Sequence, residues 1–357
     1  MSGGYHHKLE TIRGRASIGT TIASGTVIPS RSGPTPTMDA MTLRLMLGGL
    51  KSYFPALHAA HGGTAGRSAG AYCYSVWMRH LSIIARAVPS FRPKTVVEIG
   101  PGDSLGVGIA ALLCGAEQYV GLDVADHIDP RHDSRVLDEI VELLEHRSPI
   151  PDGRVFPQLL PALQSYDFPA RLFTDDGPRQ LQLDHRRVAS IRAALLERRQ
   201  VLYDDVPIGY AAPWGPRTLD RQSVDLVLSQ AALQQMAHEP ERSELAGTFA
   251  AMSRWVKKGG VIAHQIDFGL LGNGAWNQHW QFADAAWRVM RGNRPGFANR
   301  VPLSVYLALC EEYDFDVVSV KRVTAEGLPR ERVAPRFRDL PEDDFITSSA
   351  HIVAVRR

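Results

Sequence analysis

A strand that ends in a glycine-rich turn constrains this chain more than any other feature. Residues 95–99 are an apolar run of strand length interrupted only by Glu98, and the chain then breaks at Gly100-Pro101-Gly102-Asp103-Ser104. Glycine and proline in that arrangement mark a tight turn instead of a continued strand. Residues 105–114 follow with the Ala/Leu/Gly spacing of a helix, and a second apolar run, residues 119–122, closes on Asp123. The pattern predicts one βαβ unit with a carboxylate at the tip of each strand. Glycines at 100 and 102 let the backbone approach a ligand closely, and the N–H groups that open the helix favour an anionic group there. Asp123, 23 residues after Gly100, is placed to accept hydrogen bonds from ribose hydroxyls. The expected ligand is a nucleoside-containing cofactor. NAD is the poorer fit, because G-x-G-x-x-G read from Gly100 has Leu105 in the sixth position, with glycine arriving only at 106 and 108.

Glu98, Gly100, Gly102 and Ser104 resemble the cofactor loop of class I S-adenosylmethionine-dependent methyltransferases, E/D-x-G-x-G followed by a further small residue, and Asp123 matches the family's ribose-binding acid. The family usually has glycine where this chain has Ser104. The resemblance implies an α/β fold: a Rossmann-like, doubly wound, seven-stranded sheet with a terminal antiparallel hairpin. It implies S-adenosyl-L-methionine as cofactor, with the 98–104 loop, Pro101 included, on the methionine part, Asp123 on the ribose and Val124 against adenine. The alternative is a Rossmann-like unit of another kind that happens to be glycine-rich.

Hydrophobic residues make up 44% of the chain and charged residues 22%, the composition of a globular protein, and a net charge of +2 selects no particular partner. No like-charged block suggests a nucleic-acid arm, and no apolar run approaches the about 18 residues a membrane span needs. Cys73, Cys114 and Cys310 are odd in number and widely spaced, which predicts free thiols in a reducing cytoplasm and no disulfide framework. Residues 1–38 are rich in Gly, Ser, Thr and Pro, with no acid between Glu10 and Asp39, and read as a disordered tail, or as sequence upstream of a start at Met38 or Met41.

Residues 39–90 read as an N-terminal helical cap, with one helix over 41–57 and a second over 71–88 on which Tyr72, Val76, Arg79 or His80, Ile83 and Ala87 fall along one stripe. Residues 91–357 read as the main domain. A helix is expected over 136–146 and another over 186–200, with a weak third strand within 206–214, so that residues from about 130 to 220 form a long insertion after the second strand. Insertions of that length usually serve as lids or binding loops. Residues 223–228 read as the fourth strand, placing Ser229 and Gln230 at the point where the sheet's winding reverses. Lys257-Lys258 followed by Gly259-Gly260 reads as a helix stop, with the fifth strand starting at Val261. Residues 315–323 and 348–357 read as the closing hairpin.

Methyl transfer from a sulfonium asks the protein mainly for proximity and orientation. A hydroxyl acceptor also needs a base, and the expected candidates are His264, Asp267 and His279, with the two imidazoles taken as nearest the mouth. The same three side chains are the set from which a metal site would have to be built, but no spacing motif supports one, and no metal is expected. Where many family members have L-E-H after the fourth strand, this chain has Leu233-Gln234-Gln235, so neither a carboxylate nor an imidazole is available there. Trp276, Trp280 and Trp287 suit stacking on a sugar or, equally, a core. The whole pattern resembles a bacterial branch of the family associated with polysaccharide and secondary-metabolite pathways. It implies transfer to an oxygen of a small-molecule or glycan acceptor. The alternatives are an N-methyltransferase and a non-catalytic S-adenosylmethionine-binding protein.

Overall fold

The computed structural model describes residues 46–47, 69–173, 180–197, 207–239, 242–269, 275–292, 294 and 297–357. The tail at 1–38, nearly all of the helix expected at 41–57, most of the glycine-rich stretch that follows it and residues 270–274 lie outside the described residues.

Seven strands form one sheet: β1 (Thr95–Ile99), β2 (Gln118–Leu122), β3 (Ile208–Ala211), β4 (Val224–Gln230), β5 (Val256–Asp267), β6 (Phe315–Thr324) and β7 (Thr347–Arg356). Their order is β3-β2-β1-β4-β5-β7-β6. The first five strands are parallel, and β7 lies antiparallel between β5 and β6. This is the doubly wound sheet with a terminal antiparallel hairpin expected from the sequence. Winding reverses between β1 and β4, so the carboxyl ends of β1, β2 and β4 border one crevice.

Alternation along the strands sends neighbouring side chains to opposite faces. Val96, Leu226, Leu228, Ala263 and Val353 pack under α1 (Ala69–Ala87), α2 (Gly106–Leu113), α3 (Pro130–Glu145) and α4 (His185–Glu197). Val97, Val120, Val227, Ile262 and Ile352 pack on the other side under α5 (Glu244–Trp255) and, beyond α6 (Asp284–Arg291), α7 (Leu303–Glu312). Every residue of β1 is buried, and each large apolar side chain so enclosed contributes about 1.5–3 kcal/mol.

Two boundaries and the burial of one helix differ from the sequence reading. Helix α3 begins at Pro130, because Asp129 caps it by accepting from the Arg131 N–H and proline suits the first turn. Strand β5 begins at Val256 immediately after α5, without the expected helix-stop turn. Val256 pairs with Val224 across a register shift, Gly259 takes φ +75°, and Lys257 Nζ holds Asp225 Oδ1 at 2.7 Å. Helix α1 is buried far beyond one stripe, with Tyr74, Ser75, Trp77, Met78, Arg79 and His80 all enclosed. The reason is that the 150–173 segment packs on α1, with Ser75 and Arg79 bonded to its carbonyls and Tyr72 against Phe156. The span expected as an insertion thus contains α3, this covering loop, α4 and β3 itself.

Candidate active site

The glycine turn leaves β1 with both glycines in the left-handed region, Gly100 at φ +72° and Gly102 at φ +74°. A Cβ on Gly100 would stand 2.7 Å from the Ala232 Cβ, so the segment after β4 lies directly on this turn. A Cβ on Gly102 would meet nothing within 4 Å. Gly102 therefore borders open space at the mouth of the crevice and donates its N–H to Asp123 Oδ2 at 3.2 Å. Asp123 Oδ1 accepts from the Val124 N–H at 2.7 Å. Each carboxylate oxygen has two acceptor sites, so both retain capacity for a hydroxyl partner. Val124 beside it is 68% exposed and presents an apolar face at the β2 tip.

The start of α2 is not available to an anionic ligand in the way the sequence suggested. Asp133 of α3 already occupies it: its carboxylate accepts from the Leu105 N–H at 3.1 and 3.2 Å and from the Ser104 hydroxyl at 2.6 Å, while Ser104 Oγ accepts from the Gly106 N–H. Ser104 is buried with its side chain turned toward α3. Glu98 is likewise enclosed beneath the loop and accepts from the Tyr119 hydroxyl at 2.6 Å; burial raises its carboxyl from 4.5 to about 7. Sequence reading missed Asp133 and Tyr119 because nothing local marks either one as the partner of a residue 29 or 21 positions earlier.

Helix α1 and the covering loop form the wall opposite. Arg79 is fully buried; it donates to the carbonyls of Leu159, Pro161 and Pro151, each at 2.8 Å, and to Ser75 Oγ at 3.1 Å. The Tyr166 ring lies 5.0 Å from its guanidinium carbon. These contacts clamp the loop onto α1 and carry Leu160 to the tip of β4, where its carbonyl accepts from Gln230 Nε2 at 3.0 Å. With that amide nitrogen donating, Gln230 Oε1 accepts, and His80 Nε2 at 3.1 Å carries the proton. His80 Nδ1 is then the acceptor for His351 Nε2–H at 3.1 Å. Burial holds both imidazoles below their ordinary range, His80 at about 4. Gln230 is thus tied to the wall of the crevice, a link unreadable in sequence because it joins residues 150 apart. Tyr72 is partly exposed, sets its ring edge-on to Phe156 at 5.6 Å, and has its phenol pushed up to about 12 by burial and by the nearby Cys73, Glu98 and Asp103.

The three expected bases are not brought together. His264 lies beneath the strand tips on the α5 side, fully enclosed, with Nδ1 2.8 Å from Ser229 Oγ and its ring 6.4 Å from Phe249. Burial lowers it to about 3. His279 is enclosed between Trp280 and Trp287, at 6.1 and 5.7 Å, and burial and the Arg300 charge lower it to about 3. Neither imidazole opens on the crevice, which corrects the expectation that they stand nearest its mouth, and imidazoles held so low are weak proton acceptors. Asp267 alone stands exposed at the tip of β5; Oδ1 accepts from the Gly269 N–H at 2.9 Å, and partial enclosure raises its carboxyl. Trp280 is stacked on Phe337 at 5.0 Å inside a small core, and Trp287 is also buried. Both therefore serve packing instead of sugar recognition.

No protein-family model and no curated protein matches this chain. Solved structures do. An S-adenosylmethionine dependent methyltransferase from Mesorhizobium loti is 13% identical, covering 78% of this chain and 98% of its own, with a TM-score of 0.36. The YcgJ protein from Bacillus subtilis is 10% identical over 78% of this chain and 98% of its own, with a TM-score of 0.38. Phosphoethanolamine N-methyltransferase 2 of Haemonchus contortus, in complex with S-adenosyl-L-methionine, is 12% identical over 81% of this chain and 57% of its own, with a TM-score of 0.37.

Among the described residues no group of three or more His, Cys, Asp and Glu side chains gathers as a metal site, and no helix is long and apolar enough to cross a membrane. Cys73, Cys114 and Cys310 are buried, and none forms a disulfide among the described residues.

Proposed function

We propose that the chain is an S-adenosylmethionine-dependent methyltransferase that acts on an oxygen of a small-molecule or glycan acceptor. The observation that carries the reading is the pairing at the switch point: Gly102, left-handed and bordering open space, hydrogen-bonded to the carboxylate that ends β2. A backbone that a nucleoside can approach closely, beside an acid with spare acceptor sites and the exposed Val124, fits ribose and adenine. Asp123 and Val124 would hold that half of S-adenosyl-L-methionine, and the Gly100–Gly102 turn with the tips of β1 and β4 the other half. Ser104 and Glu98 support the turn from beneath.

The cofactor supplies an already activated methyl group, so the chain's own task is positioning. Gln230, fixed between His80 and Leu160, and the loop clamped by Arg79 form a wall that excludes water and orients an acceptor. Asp267 has the features of the proton acceptor for a hydroxyl: exposed, at the carboxyl end of β5, and raised toward the working range. A carboxylate in that position suits a hydroxyl, which must lose its proton as it takes the methyl group. The proposal is tested by incubating the protein with methyl-labelled S-adenosylmethionine and panels of sugars, phenols and amines. Label transferred to a hydroxyl supports it. Transfer to amines alone would make it an N-methyltransferase, and binding without transfer across the panels would leave a cofactor-binding protein.

A further inference from the structure

An open cleft of about 890 Å³ lies in the helical layer opposite α1 and α2, between α7, α6 and the 336–340 segment. Its floor is apolar, built from Val305, Ala308 and Leu309 of α7, and its far wall from the rings of Trp287 and Phe337. Four arginines line it, Arg288, Arg291, Arg300 and Arg336, against two acids, Asp284 and Glu312. Asp284 is already shared: one of its oxygens lies 2.5 Å from Arg300 and 3.1 Å from Arg336. Glu312 is at the other end of α7. The balance along the α6 side is therefore cationic. Arg300 is 6% exposed and held between the Trp287 and Phe337 rings at 5.0 and 5.2 Å, an arrangement that fixes a planar guanidinium in place. Gly100, Gly102, Asp123, Gln230 and Asp267 are all absent from its lining, so this space is distinct from the crevice described above.

We propose that this cleft is a binding site for an amphipathic anion, a phosphate monoester carrying an apolar chain or ring, with the head group among Arg288, Arg291 and Arg336 and the apolar body against Val305 and Ala308 on the α7 floor. Guanidinium groups recognise phosphate by paired hydrogen bonds, and a largely apolar cleft of several hundred Å³ suits a ligand with both characters. The inference rests on the cleft and stands independently of methyl transfer. The test is calorimetric titration of the full chain with octyl phosphate below its micelle concentration, with inorganic phosphate and 1-octanol in parallel. The expected result is saturable one-to-one binding of octyl phosphate, at least tenfold tighter than either half alone and weakened by salt. Arg288→Glu, on the exposed side of α6, and Ala308→Trp, which fills the floor from an exposed position of α7, should each weaken it at least tenfold while far-ultraviolet circular dichroism and melting remain those of the parent. Absence of saturable binding to the parent chain would overturn the proposal, and so would binding that survives both substitutions.

Discussion

Replacing Gly100 and Gly102 one at a time by alanine separates what the turn does for the fold from what it does for a ligand. Both residues have positive φ, and a left-handed non-glycine residue costs about 1–2 kcal/mol. At Gly100 the new methyl also meets the Ala232 Cβ at 2.7 Å, well inside contact distance, and the segment after β4 must shift. Overpacking of this kind costs a further about 1–3 kcal/mol. Gly100→Ala is therefore expected to lose about 2–5 kcal/mol of stability. At Gly102 the methyl meets no protein atom within 4 Å, so Gly102→Ala should lose only the backbone share, about 1–2 kcal/mol. That methyl projects into the space assigned to the cofactor, so this milder variant should lose S-adenosylmethionine affinity by at least tenfold. Urea denaturation read by tryptophan fluorescence gives the first quantity, and calorimetric titration the second. Equal stabilities for the two variants would refute the close approach of Ala232. A Gly102→Ala protein that binds the cofactor as the parent does would refute the placement of the ligand.

Glu98 makes stability depend on pH with a definite sign. Its carboxyl moves from 4.5 to about 7 on folding because burial disfavours the charge, so the folded state holds the proton more tightly. The stabilisation is full below pH 4.5 and is lost as pH rises through about 7, a change on the order of 3 kcal/mol; Glu98→Gln should flatten that window in denaturation midpoints measured at successive pH values. Arg79→Met leaves the carbonyls of Leu159 and Pro161 without the guanidinium donor and Pro151 with the Ser75 hydroxyl alone, and should cost about 2–4 kcal/mol and speed proteolysis between residues 150 and 173; unchanged cleavage there would contradict the clamp. If Asp267 takes the acceptor's proton, turnover rises with pH as its carboxyl ionises, later than a free aspartate would because partial enclosure raises it, since the base must be ionised. Asp267→Asn should then lower turnover by about 10² or more and remove that rise while leaving cofactor affinity intact, and a preserved pH profile would place the base elsewhere.

What was legible in the sequence is what local pattern encodes. The β1 turn, Asp123 and the closing hairpin each announce themselves within a few residues, because an apolar run that breaks at glycine or ends at an acid has few structural readings. The start of α3 is also locally encoded, in Asp129-Pro130, six residues ahead of the apolar spacing that marks 136–146 as a helix. The start of β5 was not: Lys257-Lys258-Gly259-Gly260 has the composition of a helix stop, and only the pairing of Val256 with Val224 and of Lys257 with Asp225 makes it a strand. In the candidate site, the backbone elements that face the ligand were readable, whereas the side-chain partnerships were not. Arg79 and Gln230 find their partners 70 or more residues away, in a loop whose path no local signal fixes. His264 and His279 illustrate the same gap: polar residues next to a strand tip or an aromatic cluster read as chemistry, and only the packing of Phe249, Trp280 and Trp287 around them shows them enclosed.

The most direct test of the central claim is calorimetric titration of the parent chain and of Asp123→Ala with S-adenosylmethionine, its demethylated product and NAD. The account predicts saturable one-to-one binding of the two sulfur compounds, none of NAD, and a loss of about 1–3 kcal/mol in the variant as the charge-assisted bonds to the ribose disappear. A folded parent chain that binds neither sulfur compound, or a variant that binds them with undiminished affinity, would contradict it.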